Sequence, residues 1–285
     1  MKVQATLAVL AAVLAAASSA CSADAGTAPP PQGSTAKPAP AVGLSVDDIL
    51  ERNLAALGGK EKLRALKSLR FEATEQTGTQ SVPLLVYWKR PDRLRVEAPE
   101  EGLLKIQAFD GTRAWSTYPE LPGFEAQFLD GAEQDALRDQ ADLVEGPTFD
   151  YVAKGNRVEL LGKESLNNRD AWRLELTTAR GEVRMLWFDC ASFLEVREER
   201  VQTSGDRRIT TDSMLSDFRP AGGVLFAHRV ESRSRISGGG VPERAGEPSV
   251  FTIQKLEVDV DLPDSLFALP PAAAPAASAP APSQP

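Results

Sequence analysis

Apolar residues recur in three rhythms along this chain. The first is an unbroken run of apolar and small residues over 5–17, interrupted only by Thr6. The second is helical. Ser45 followed by Asp48 makes a capping-box pattern, and Asp47 and Asp48 suit the positive end of a helix. Ile49, Leu50, Leu54 and Leu57 then share one face of a helical repeat, which Gly58-Gly59 ends. Residues 60–66 predict a short second helical piece with Leu63 and Leu66 inward.

The third rhythm has period two and begins after Lys67. Leu69, Phe71 and Ala73 alternate with Arg70, Glu72 and Thr74. Leu84, Val86 and Trp88 predict the next strand, then Leu94 and Val96. Leu104, Ile106 and Ala108 lead to Asp110-Gly111, a hairpin signal, and 114–118 returns. A polar helix is predicted over 131–143, with Ala136, Leu137, Ala141 and Leu143 as its apolar stripe and Gly146-Pro147 after it. Strands resume over 157–161, 171–177, 183–188, 193–202, 207–218, 224–233 and 250–260. Residues 238–248 read as a long hairpin loop, and 266–269 as a final extended piece.

Steady turn spacing without crossover helices predicts an antiparallel meander. A sheet of this many strands must curl, and two short helical segments cannot cover both its faces. The fold class expected is mainly β (α+β): a single curled antiparallel sheet forming an unclosed barrel, with a few helices as plug or lid. The domain spans 44–269. Residues 21–43 and 270–285 are rich in Ala, Pro and other small residues, and read as a flexible tether and a disordered tail.

The opening run is too short to cross a bilayer and follows Lys2, so 1–20 reads as a signal peptide ending in Ser18-Ser19-Ala20. Ala20-Cys21 resembles the lipobox of bacterial lipoproteins, which implies acylation of Cys21 and a lipid anchor. Ser22 in the next position is similar to outer-membrane sorting signals. Ordinary cleavage, leaving Cys21 a plain residue, is the alternative. The expected location is the periplasm, anchored to the outer membrane. Cys190, the other cysteine, lies in an apolar strand pattern and reads as a small buried hydrophobe.

The formal charge of −8 argues against nucleic acid and against electrostatic adhesion to anionic lipid. The single histidine, His228, reads as structural. The sequence has no His/Cys or carboxylate set at ligand spacing, no GxSxG elbow and no phosphate-binding glycine loop. We expect no catalytic constellation, no metal and no cofactor. The apolar side is richer. Phe71, Trp88, Leu94, Val96, Ile106, Trp115, Trp172, Leu174, Met185, Trp187 and Leu194 all fall on predicted strands. They make either an ordinary dry core or the wall of a lipid-sized cavity, and periodicity does not separate the two.

The order of several short motifs adds a second source. Trp88-Lys89-Arg90-Pro91-Asp92-Arg93-Leu94, then Phe109-Asp110-Gly111, Trp115 and Tyr118-Pro119, resembles the LolA/LolB-type lipoprotein carriers. Leu266-Phe267-Ala268-Leu269-Pro270 is similar to their closing piece. Asn53-Leu54-Ala55-Ala56-Leu57-Gly58-Gly59 and Lys67-Ser68-Leu69 resemble the wider set of outer-membrane lipoprotein-sorting proteins. The resemblance implies an unclosed barrel with a helical lid over an apolar cavity. It also implies that Arg90 holds the lid, beside the plainer reading of Arg90 as a strand-end charge. The function expected is non-enzymatic binding of lipid acyl chains or lipoproteins in the envelope. One rival is an envelope binding scaffold or sensor with a dry core and a protein partner. A hydrolase built around His228 is a second rival.

Overall fold

The computed structural model describes residues 43–118 and 126–270. The expected export segment, Cys21, the tether up to 42 and the tail from 271 lie outside the described residues, as do Pro119 and the rest of 119–125. Two helices open the described residues: α1, Val46–Ala56, and α2, Lys60–Ala65. The capping box of α1 is formed. The Ser45 amide donates to the Asp48 carboxylate at 2.8 Å, and the Asp48 amide donates to Ser45 Oγ at 3.1 Å. The Ser45 hydroxyl and amide bonds hold the Asp48 carboxyl below its usual range.

Six strands follow: β1 Ser68–Thr77, β2 Gln80–Lys89, β3 Arg93–Glu100, β4 Leu103–Phe109, β5 Ala114–Thr117 and β6 Ala126–Phe128. Helix α3, Gly131–Ala141, then precedes β7 Arg157–Leu166, β8 Arg169–Thr177, β9 Val183–Asp189 and β10 Glu195–Ser204. The set ends with β11 Arg207–Ala221, β12 Val224–Gly238, β13 Val241–Ala245, β14 Ser249–Val258 and a short 3-10 turn, Asp264–Leu266. The sheet order is β6-β5-β4-β3-β2-β1-β14-β12-β11-β10-β9-β8-β7, with β13 paired to β12. Two meanders are therefore joined by the last strand, β14, which pairs antiparallel with both β1 and β12. The sheet stays open, because β6 and β7 terminate it. The expected fold class is the one observed.

Several local expectations shift. The loop over 238–248 contains β13, and β6 is a strand that periodicity did not mark. Phe193 and Leu194 lie in the β9–β10 turn rather than in a strand, with Phe193 at φ 58°. Cys190 is half-buried in the same turn, not inside a strand, and burial pushes its thiol up.

The three helices of the described residues pack on one face, called here the inner face. Under α2, α3 and residues 143–149 lies one apolar cluster, including Phe71, Trp88, Leu94, Val96, Phe226 and Phe251. Under α1 lies a second, including Leu174, Leu176, Leu186 and Phe188. Gly58 joins the helices to the sheet. A Cβ there would meet the Gly223 carbonyl oxygen at 2.3 Å, and the backbone sits at φ +123°.

Candidate functional site: the inner face and the segment that covers it

Register explains the floor of the site. Leu69, Trp88, Leu94, Phe109 and Ala114 are cross-strand neighbours in sequence from β1 to β5. Phe71, Val86 and Val96 form the next row. Successive strand residues face opposite ways, so all of these share the inner face. The floor is dry and filled: Phe71 and Leu94 are 0 % exposed and Trp88 only 2 %.

The cover is residues 131–149. Leu137 and Ala141 of α3, then Leu143, Val144 and Phe149, press on the floor. The Trp88 indole N–H donates to the Ala141 carbonyl at 2.7 Å. That bond satisfies a carbonyl left open at the helix end and the polar tip of a buried ring.

Polar contacts hold the rim. Arg90 donates from Nε to the Leu66 carbonyl and from Nη2 to the Leu63 carbonyl, each at 2.7 Å. Its Nη1 donates to Glu145 Oε1 at 2.9 Å. One guanidinium therefore joins the β2–β3 turn, the C-terminal end of α2 and the covering segment. Two more ion pairs act on that segment: Arg180 with Asp139 at 2.7 Å and Lys154 with Asp142 at 2.6 Å. Asp139, Asp142 and Glu145 are spaced three apart, and their basic partners come from three separate parts of the frame.

The three carboxylates, Lys154 and Arg180 line a polar cleft of about 380 Å³ together with Asp92, Arg138 and Asn156. Burial pushes the Asp139 carboxyl up to about 7, against the pull of Arg180 and Arg138. Burial likewise raises Asp142, against Lys154, and Asp92.

The inner face of β9 and β10 is different in kind. Leu174, Leu186 and Glu198 are successive cross-strand neighbours, as are Leu176, Arg184 and Arg200. Arg184 is wholly buried, 2.9 Å from Glu182 and 3.2 Å from Glu198. Arg200 lies 3.3 Å from Glu182. A compact charged island therefore interrupts the apolar floor.

Of the residues expected to wall a cavity, Phe71, Trp88, Leu94, Val96, Trp172 and Leu174 share the inner face. Ile106 and Trp115 do not, because Ile106 pairs with Glu97, and Trp115 with Ala108, on the outer face. There the C-terminal segment covers them in part: Trp115 Nε1 donates to the Phe267 carbonyl at 2.8 Å, and Arg95 donates to the Leu266 carbonyl at 2.9 Å. Met185 and Trp187 also face outward. Trp187 pairs with Arg173 and Arg197, whose guanidinium groups lie 5.5 and 4.2 Å from its ring. Leu194 is half-buried in its turn. His228 is buried with Nδ1 3.3 Å from the Ile253 carbonyl, and burial lowers its pKa. The Asp139–Arg180 and Asp142–Lys154 pairs and the charged island were not found from sequence. Four residues in a row, Met185 to Phe188, are apolar, so the strand carries no period from which to read its faces.

Comparison with protein-family models finds no match, and comparison with curated proteins finds none either. Solved structures do match. A LolA superfamily protein from Nitrosomonas europaea aligns at TM-score 0.51 and 18 % identity, over 80 % of this chain and 99 % of its own. A DUF1329 family protein from Desulfovibrio piger aligns at TM-score 0.51 and 13 % identity, over 79 % of this chain and 97 % of its own. An outer-membrane lipoprotein-sorting protein domain from Vibrio parahaemolyticus gives 0.45 and 14 %, over 76 % and 97 %. At these identities the likeness is one of fold, and the fold this chain shares is that of a LolA superfamily protein, in keeping with the resemblance of its Lys89-Arg90-Pro91 and Asp110-Gly111 motifs.

Proposed function

We propose that this chain is a non-enzymatic envelope protein that binds lipid acyl chains or lipoproteins on its inner face, in outer-membrane lipoprotein or lipid handling, without a cofactor. One observation carries the reading. The apolar floor is closed by α2 and by one further segment, 131–149, whose rim is tied by polar contacts through Arg90, not by a second sheet. Swinging 131–149 aside uncovers Phe71, Trp88, Leu94 and Val96. An acyl chain taken up there leaves water at about 0.8 kcal/mol per CH₂. The fold shared with a LolA superfamily protein supports the same reading. Acylation of Cys21 would hold the domain at the outer membrane.

The test is lipid extraction and mass spectrometry of the full chain purified from an envelope fraction, with uptake of a fluorescent fatty acid measured alongside. We expect co-purifying lipid, and faster uptake in Arg90→Ala. Metabolic labelling with palmitate should mark the chain and fail to mark Cys21→Ser. A specific observation favours a second reading, an envelope scaffold or sensor with a dry core: the floor is filled in this conformation. Absence of lipid and of uptake in both wild type and Arg90→Ala would select it.

A further inference from the structure

Strands β10–β13 run on past their neighbours. The last pairing of β9 with β10 is Arg184 with Arg200, and β14 leaves β12 at Ser232. Beyond those points, β10, β11, β12 and β13 pair only with one another, to the Ser204–Arg207 and Arg207–Gly238 pairs at the tip. Residues 233–238 carry this extension roughly 20 Å beyond the end of β14, at the usual rise of a strand.

The extension gathers the free guanidinium groups of the protein. Arg207, Arg208, Arg233 and Arg244 are exposed and, among the described residues, make no ion pair or side-chain hydrogen bond. Among the described residues, every other arginine except Arg52 is paired with a carboxylate. Arg52 instead lies 5.1 Å from the Phe193 ring. Asp206, Asp212, Glu243 and Glu247 share the extension with five arginines, the fifth being Arg235, so it is basic by one charge on a chain of formal charge −8. Its length exceeds a screening length of about 8–10 Å in physiological salt, so the acidic body does not cancel the charge at the tip.

We propose that this extension docks the protein on a membrane whose surface carries anionic phospholipid headgroups, with Arg207, Arg208, Arg233 and Arg244 as the binding groups. The register chooses a membrane over an acidic protein. Arg207 and Arg244 share the face of Ile209 and Ile236, whereas Arg208 and Arg233 lie on the opposite one. Both faces of the extension therefore carry guanidinium groups, with Arg207 and Arg208 on opposite faces at its tip and Arg233 at its foot. A ribbon entering a headgroup layer end-on meets phosphate on both sides, but a complementary protein surface meets one. Gly238, the last residue of β12, and Gly239-Gly240 in the turn that follows are all at positive φ, which keeps the tip narrow. The planar guanidinium fork suits phosphate oxygens. The expectation from net charge alone was the reverse, because net charge averages over a distribution this uneven.

The experiment is co-sedimentation of the full chain carrying Cys21→Ser, so that no anchor contributes, with phosphatidylcholine vesicles with and without phosphatidylglycerol. We expect partition only onto the phosphatidylglycerol vesicles, lost between about 0.05 and 0.5 M salt. Each arginine near the surface contributes about fivefold, so Arg207→Glu with Arg208→Glu should weaken partition at least about 25-fold. Arg219→Glu, at the other end of the β11–β12 hairpin, should change it far less. Arg233→Glu with Arg244→Glu repeats the test if the first pair fails to fold. Partition independent of phosphatidylglycerol overturns the proposal, as does partition unchanged by both double variants or lost equally in Arg219→Glu. Both vesicle types supply acyl chains, so this outcome is separate from lipid uptake on the inner face.

Discussion

The two parts of the inner face are built from the same antiparallel ladder and closed by helices, yet they are held together by opposite chemistry. Over β1–β5 the floor is apolar and the charges sit at the rim, where Arg90, Lys154 and Arg180 grip the covering segment. Over β9 and β10 the charges sit in the floor itself, with Arg184 sealed between Glu182 and Glu198. An apolar floor can exchange a covering helix for another apolar surface at little net loss. A buried ion network cannot, because opening it leaves charges without partners or water. On the function proposed above, the segment over β1–β5 is the one that would move and the region of β9–β10 is the fixed frame.

The largest expected effect tests the apolar part. Trp88→Ala removes a buried ring and the donor to the Ala141 carbonyl, and should cost about 3–5 kcal/mol in a urea denaturation series. The fixed frame is tested by Glu198→Ala, which removes one of the two carboxylates beside Arg184 and leaves Glu182; we expect a loss of roughly 3 kcal/mol. Replacing both partners, Glu198→Leu with Arg184→Met, should recover most of it. If the double change is as damaging as the single one, the island is not acting as a paired unit.

Asp139 sharpens the comparison through pH. Its folded carboxyl is raised to about 7 by burial. Between the unfolded value near 3.8 and about 7, the folded state therefore holds more protons than the unfolded one, and the contribution of this group to stability falls as pH rises through that window. Asp139→Asn should then stabilise the protein at pH 8, by up to about 4 kcal/mol, with the gain fading toward pH 4. Thermal melts across that range read it. A gain that grows on acidification would contradict the burial account. The smallest global effect belongs to the rim. Glu145→Gln keeps the shape but loses the charge on Arg90, and should cost about 1 kcal/mol. Its signature is local: faster hydrogen exchange over 131–149 with little change over β9 and β10.

Much of the fold was legible in the sequence. The period-two rhythm from Leu69 onward, the Asp110-Gly111 turn and the Ser45–Asp48 cap each act over a few residues, and each appears where expected. The candidate site was legible only in part. Alternation at Leu104, Ile106 and Ala108 announces an apolar face, but both faces of this sheet are partly covered. The closing segment around Phe267 covers the outer one, so Ile106 and Trp115 turned away from Trp88. At Met185 to Phe188 the apolar run had no period at all.

What the sequence determined by itself was therefore local: which stretches are strands, where they turn, and that one helix is capped and ended by glycine. Only the tertiary structure decided which apolar face is inner, that β14 joins the two meanders, and that Asp139, Asp142 and Glu145 each find a basic partner from a separate part of the frame. Strand and turn preferences are set by neighbours in the chain. Burial, ion pairing and pKa are set by neighbours in space, and Arg90 and Glu145 are 55 residues apart until the sheet curls.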